Sequence, residues 1–219
     1  MIRLVIFDCD GTLVDSQAGI VSVLRQTLDD FRLGQSWSDR QLAHVVGLSL
    51  PEAMAALCPE QPADIHHQLI LRYKALYQLA ADRATLHTPL FPGVTDLLTT
   101  LQQSGRQMAI ATGKSRRGLE RTLRQHQLDP FFPPRMRMTA DDAPSKPHPA
   151  MILQLLQVSC VPPDQALMVG DTTFDILMGH AAGVSTCAVT FGCHSKDQLA
   201  TAQPHHWVDQ LHQISLLCE

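Results

Sequence analysis

The stretch "VIFDCDGT" limits the possible folds of this 219-residue chain more than any other. Through residues 2–7, β-branched and large apolar side chains follow one another without polar alternation, the pattern of a strand covered on both faces in a parallel sheet. The run stops at two carboxylates, Asp8 and Asp10, at the carboxyl end of that strand, where open α/β sheets bind their ligands. A turn built from Asp and Gly would also explain a bare D-x-D-G, so the rest of the chain has to decide.

Beyond residue 14 the pattern becomes helical. Residues 17–31 place Ile20, Val23, Leu24, Thr27, Leu28 and Phe31 on one face. Shorter helical patterns at 38–46 and 51–57 precede a longer one from 63 to about 85, with Ile65, Leu69, Leu76 and Leu79 at helical spacings. No strand is predicted between residues 14 and 86. "TPLFPGV" ends this stretch with two prolines and a glycine. Apolar strands are then predicted at 107–111, 135–138, 166–169 and 184–189. They alternate with helices at 94–104, 115–125, 149–158 and 174–182, with Gly183 suited to the left-handed residue after the last. Such alternation implies parallel strands joined by right-handed crossovers. The predicted fold class is α/β: a Rossmann-like, doubly wound parallel sheet made of residues 1–14 and 87–219, interrupted by an all-helical segment at 15–86.

Composition narrows the partners. With 45% hydrophobic residues the chain can build a sizeable core. A net charge of −4, and no basic run beyond "GKSRR", give no footprint for nucleic acid or an anionic membrane. No apolar stretch approaches the roughly 18 residues of a membrane span, and the first apolar segment meets Asp8 without a small-residue cleavage site, which predicts a cytoplasmic protein. The six cysteines lack a C-x-x-C pair and are expected to be reduced thiols, and the eleven histidines show no zinc spacing. Oligomeric state, monomer or homodimer, stays open.

Each later strand also ends in a useful polar group: "MAIATGK" at Thr112 and "LMVGDTTFD" at Asp171, with Asp175 four residues on. "SKPHP" supplies Lys146 ahead of a helix, Pro147 favouring an extended backbone and Pro149 a first helical turn. Gathered at one sheet edge, Asp8, Asp10, Asp171 and Asp175 would repel one another, about 4 kcal/mol for two charges 4 Å apart at an effective dielectric of 20. One lysine cannot balance them. An oxygen-rich site of this kind suits Mg²⁺. A carboxylate-held metal beside a lysine and a hydroxyl is what a phosphoryl group needs before an anionic nucleophile can approach. One carboxylate could then attack phosphorus, and the other could protonate the leaving oxygen and activate water.

The set D-x-D-G-T, a strand-final Thr, K-P-x-P and G-D-x-x-x-D, in this order, resembles the haloacid dehalogenase superfamily, within its phosphoglycolate-phosphatase-like branch. The resemblance extends to the tail "TFGCHSKDQL" and "PHHWVDQL" and makes residues 15–86 a helical cap domain. It implies a Mg²⁺-dependent phosphatase acting on a small phosphorylated metabolite, phosphoglycolate-like or a sugar phosphate, through an aspartyl phosphate. Asp8 would be the nucleophile and Asp10 the general acid/base. Thr112, Gly113 and Lys146 would bind phosphate. Asp8, Asp171 and the backbone carbonyl of Asp10 would hold Mg²⁺, with Asp175 a supporting or metal-linked carboxylate. The cap loop "VVGLSLPEAM" would bring Gly47, Leu48 and Ser49 near the substrate, with Arg25, Arg40 and His44 as further candidates.

Other readings of single residues stay open. Thr112 or Thr172 could be a helix cap, Lys146 a solvated side chain, and Asp175 an acid in a helix's first turn. Cys9 should point away from its two neighbouring aspartates and pack. Lys114, Arg116 and Arg117 crowd a helix N-terminus, where cations cost about 0.3–1 kcal/mol each. They either attract an anionic substrate or form a solvated face. Asp10 argues against a halide leaving group, which needs no proton. Gly170, where the β-phosphoglucomutase group carries an acid, favours hydrolysis over intramolecular transfer. Alternatives are such a mutase, a pyrophosphatase, and, outside enzymes, a receiver-like phospho-switch or an inactive binding module.

Overall fold

The computed structural model describes residues 1–34, 37–83 and 85–218. The first apolar run forms β1 (Leu4–Phe7), all four residues of which are buried. Its side chains alternate between two apolar clusters, as a two-residue period requires. Val5, Phe7 and Cys9 enter one, and Leu4 and Ile6 the other. Phe7 is fully buried and meets Phe132 edge-on at 6.3 Å. Burying a side chain of this kind contributes about 1.5–3 kcal/mol.

Helices follow β1, and their start signals are local. They are α1 (Gln17–Asp30), α2 (Asp39–His44), α3 (Leu50–Leu57) and α4 (Ala63–Asp82). Ser38 and Gln41 form a reciprocal capping box on α2, and Ser49 caps α3 with Pro51 in its first turn. The pattern expected to run to about 85 stops at Asp82, capped at Arg83, and residue 84 lies outside the described residues. Val21, Leu24, Leu28, Leu42, Met54, Leu57 and Leu69 make an apolar cluster of their own, separate from those on the sheet.

The sheet resumes with β2 (Gln107–Ala111), β3 (Arg137–Met138), β4 (Ala166–Gly170), β5 (Ser185–Val189) and β6 (His206–Val208). Their order is β3-β2-β1-β4-β5-β6, and every pairing is parallel. The sheet is doubly wound, and its direction of growth reverses between β1 and β4, which opens a crevice at their carboxyl ends. On one face pack α5 (Val94–Gln103), α6 (Arg116–Gln125) and α10 (Gln213–Leu216). On the other lie α7 (Ala150–Ser159) and α8 (Thr173–Ala181), with α9 (Lys196–Thr201) against α8. Gly183, just past α8, is left-handed at φ +73°.

Two departures from the expected elements have plain causes. β3 is shorter than 135–138, because Pro134–Met136 winds into a 3₁₀ turn after consecutive prolines. β6, α9 and α10 span three, six and four residues, too short to carry a periodic signal. All six cysteines are free thiols. Among the described residues no helix is long and apolar enough to cross a membrane.

Candidate active site

Asp8 extends β1 by one rung: its N–H donates to the carbonyl of Val169 at 2.9 Å. That places its fully buried side chain at the crevice between β1 and β4. Lys146 reaches the same point from the turn before α7. Its Nζ lies 2.5 Å from Asp8 Oδ1 and 2.6 Å from Asp175 Oδ1, with the side chain wholly excluded from solvent. The lysine is therefore not a solvated one. Lys146 and Pro147 lie in a turn, and Pro149 is the N-cap of α7.

Asp175 acts twice. Its Oδ2 accepts from the Thr172 N–H at 3.1 Å and hydroxyl at 2.7 Å, and Thr172 Oγ1 in turn accepts from the Asp175 N–H. This capping box makes Thr172 the cap of α8 and leaves Oδ1 of Asp175 for Lys146. Gly170 has no room for a side chain, since a Cβ there would stand 2.3 Å from Asp175 Cβ and Cγ. Asp171 is equally fixed, accepting from the Thr12 hydroxyl at 2.9 Å and the Cys193 N–H at 2.7 Å. Gly11, left-handed at φ +86°, lets the chain pass this carboxylate: a Cβ would be 2.1 Å from Asp171 Oδ2.

The electrostatics follow from burial. Exclusion from water pushes the Asp8 carboxyl well above its usual range; Lys146 opposes the shift, and Asp175 and Asp171 add to it. Burial and then the neighbouring Asp175 raise Asp171 to about 6, against its hydrogen bonds from Cys193 and Thr12. Burial alone would lower Lys146, but Asp175 and Asp8 outweigh it and keep the ammonium charged. Asp8 Oδ2 is buried without a hydrogen-bond partner. Asp8, Asp171 and Asp175 each bring a carboxylate oxygen to within 4.8 Å of the others. An orphaned oxygen among hard anionic donors fits a divalent, oxygen-preferring cation.

Asp10 takes its partners outside this cluster. Its Oδ1 lies 2.8 Å from Lys114 Nζ and accepts from the Ser16 hydroxyl. Lys114 is thus not a solvated side chain: it is 11% exposed and paired with Asp10. Arg116 pairs with Asp142 at 2.5 Å, and its N–H donates to Asp141 Oδ2, so two acids offset the cations at the start of α6. Arg117 is exposed. Thr112 is not a cap, because Ser115 caps α6; Thr112 Oγ1 accepts the Lys114 N–H at 3.2 Å. Cys9 packs among apolar side chains, and burial together with Asp10 raises its thiol pKa, leaving it protonated.

Asp10, Thr112, Gly113 and Lys114 form one side of a cavity of about 480 Å³, with Gly47 and Leu48 from the helical segment across from them. The approach is close: a Cβ on Gly113 would meet the carbonyl oxygens of Leu48 at 2.4 Å and Gly47 at 2.5 Å. Ser49 does not line the cavity. Its N–H donates to Ser145 Oγ at 2.8 Å, tying the helical segment to the residue before Lys146. Arg25, Arg40 and His44 do not line it either. Arg25 and Arg40 border a separate groove, Arg25 held by Asp39 and the Trp37 carbonyl. His44 stacks on buried His194 at 4.5 Å. His194 Nδ1 accepts the Thr173 N–H, which leaves Nε2–H to donate to the His44 carbonyl at 3.0 Å.

Sequence reasoning missed Thr12, Ser16, Ser145, Cys193 and His194. Thr12 follows D-x-D-G directly and carried a usable signal. The others contact the site through folds of the chain that no spacing encodes.

A switch-point crevice that gathers carboxylates around a buried lysine, with a helical segment over it, defines an α/β enzyme acting on a ligand at the sheet's carboxyl edge. The family model for haloacid dehalogenase-like hydrolases matches residues 5–189, and the chain belongs to that family. It is 36% identical over 218 residues to "Probable phosphatase IndB" of Dickeya dadantii, covering 96% of this chain and 91% of that one. It is 31% identical to Pyrophosphatase PpaX of Bacillus pumilus, with 97% and 94% covered. A Phosphoglycolate phosphatase of Pseudomonas putida is also 31% identical, with 97% and 78% covered. Among solved structures, a haloacid dehalogenase-like hydrolase from Streptococcus pneumoniae superposes with a TM-score of 0.82 at 25% identity, covering 100% of this chain and 99% of that one.

Proposed function

We propose that this phosphatase hydrolyses a small phosphorylated metabolite through an aspartyl phosphate on Asp8, with Mg²⁺ as its cofactor. One observation carries the reading: Asp8 Oδ1 is held by Lys146 while Oδ2, buried at the switch point, has no partner. Asp10, two residues on, faces the cavity. Asp8, Asp171 and the backbone carbonyl of Asp10 would hold the metal, with Asp175 beside them as a supporting or metal-linked carboxylate, and the metal would supply positive charge to the phosphoryl oxygens when bound.

The chain's own groups do the rest. Asp8 forms a bond to phosphorus as the ester P–O bond breaks, and Asp10 gives the departing oxygen its proton. Asp10 then takes a proton from water, the water oxygen bonds to phosphorus, and the bond to Asp8 breaks, releasing phosphate. Lys146 keeps Asp8 oriented, and Thr112 and Gly113 would bind the phosphoryl oxygens. The helical segment, docked on Gly113 and Ser145, would serve as the cap that excludes bulk water. That cover supports a small substrate over a polymer. Gly170, whose side-chain space is filled by Asp175, supports hydrolysis over mutase chemistry.

The test is Asp8→Asn. It should fold and bind Mg²⁺ yet lose turnover of phosphate monoesters by about a thousandfold or more, since an amide cannot attack phosphorus. Undiminished hydrolysis, with deamidation ruled out by mass spectrometry, refutes the assignment.

A further inference from the structure

The cavity beside Asp10 is larger than the transferred group requires. Its volume of about 480 Å³ falls in the range of pockets that enclose drug-sized ligands. Glycolate or a second phosphate would leave most of it empty. Asp10, the proposed acid toward the departing oxygen, lines it beside Thr112 and Gly113, so the volume beyond the phosphoryl group falls to the leaving group.

The walls differ in chemistry. Ile20, Leu24, Val45, Leu50 and Ala53 supply an apolar side from the helical segment. Tyr73 and Tyr77 of α4 stack at 5.8 Å on another side, and the Arg121 guanidinium of α6 lies 5.1 Å from the Tyr77 ring centre. Lys74, Lys114, Arg117 and Arg121 face two carboxylates, Asp10 and Asp141, around the cavity. Lys114 is neutralised by Asp10, and Asp141 accepts a backbone N–H. Among the described residues Lys74, Arg117 and Arg121 have no carboxylate partner within 4.0 Å. Lys146, which holds the proposed nucleophile, is not part of this lining, so these cations are additional to the one at Asp8.

We infer that the substrate is a phosphate monoester whose alcohol portion is a ring-sized, largely apolar body bearing a second anionic group, and that Arg117 and Arg121 select for that group. The inference rests on the phosphatase reading for its chemistry but not for its binding geometry. Guanidinium groups suit a carboxylate or phosphate because their planar fork matches two oxygens at once. The apolar wall and the tyrosine pair give the ring its contacts.

The experiment compares kcat/KM for para-carboxybenzyl phosphate, its neutral para-carbamoylbenzyl counterpart, phosphoglycolate and pyrophosphate. The unaltered protein should prefer the carboxylate over the carboxamide by about tenfold, the effect of about 1.4 kcal/mol, and both benzyl esters over the two smaller substrates. Arg121→Gln and Arg117→Gln should each bring the carboxylate-to-carboxamide ratio toward one, and Arg121→Glu should invert it. A ratio at or below one in the unaltered protein, faster cleavage of phosphoglycolate or pyrophosphate, or a ratio untouched by every arginine variant overturns the inference. Calorimetry with para-(hydroxymethyl)benzoate and its amide reads the same preference without phosphoryl chemistry. Equal affinities overturn the inference even where turnover is fast. Preferred binding of the acid with no turnover of any ester supports it and removes only the phosphatase reading.

Discussion

Replacing Lys146 with methionine removes the cation that touches both Asp8 and Asp175 and keeps most of the side-chain volume. Three carboxylate oxygens are then left within 4.8 Å of one another. Two unit charges at such a distance repel by about 3–4 kcal/mol at an effective dielectric of 20. Breaking a buried ion pair from one side costs about 3–5 kcal/mol. Urea unfolding of Lys146→Met in EDTA at about pH 7.5 should therefore show a stability deficit of about 3–5 kcal/mol. The pH dependence has a definite sign. Asp171, raised from 3.8 to about 6, binds more protons folded than unfolded between those values. Its contribution is fully present below the unfolded value and is lost as pH rises through about 6, a swing of about 3 kcal/mol. Removing the lysine raises the carboxyls further, so the deficit should shrink by about half at about pH 5, and Mg²⁺ at about pH 7.5 should recover a similar share. Equal deficits at both pH values and in both metal conditions would refute this account of the cluster.

Two further outcomes follow from the same geometry. Mg²⁺ binding followed by calorimetry should weaken by at least about tenfold per pH unit below about 6, because the Asp171 carboxyl must lose its proton to act as a ligand; constant affinity from about pH 5 to about pH 7 would contradict the shared site. Gly113→Ala places a Cβ 2.4 Å from a backbone carbonyl of the helical segment. It should cost about 1–3 kcal/mol and raise KM more than it lowers kcat, and unaltered stability and KM would show that the segment does not press on Gly113 as described.

How far the sequence led can be judged element by element. β1 was legible because four consecutive buried residues leave no polar alternation, and α1 because its apolar face repeats through three turns. β6 was not, since His206 and Trp207 at a sheet edge read as polar or exposed. Asp8, Lys146, Asp171 and Asp175 converge because each sits at the end or entrance of an element whose direction the alternation pattern fixed. The Lys114–Asp10 pair was not legible, because charge spacing ahead of α6 says nothing of Asp10, which follows another strand. The long side chain spans a distance that only the assembled sheet defines. Arg25, Arg40 and His44 were named for their chemistry, but helix faces turn them elsewhere.

The alternation of β1 has a consequence for how the chain assembles. Leu4 and Ile6 point one way, Val5, Phe7 and Cys9 the other, and a slip of one residue against β2 or β4 would exchange the two sets. In a purely apolar strand such an error would cost packing alone, about 1–3 kcal/mol for a mismatched core position. Here it would drive Asp8 from its lysine into a layer containing Leu97, Leu98 and Phe132, an unpaired charge that costs several kcal/mol. The carboxylate therefore proofreads the central strand: a misthreaded sheet cannot hide its mistake, and the residue at the centre of the proposed chemistry also marks the one alignment its neighbours can pack in.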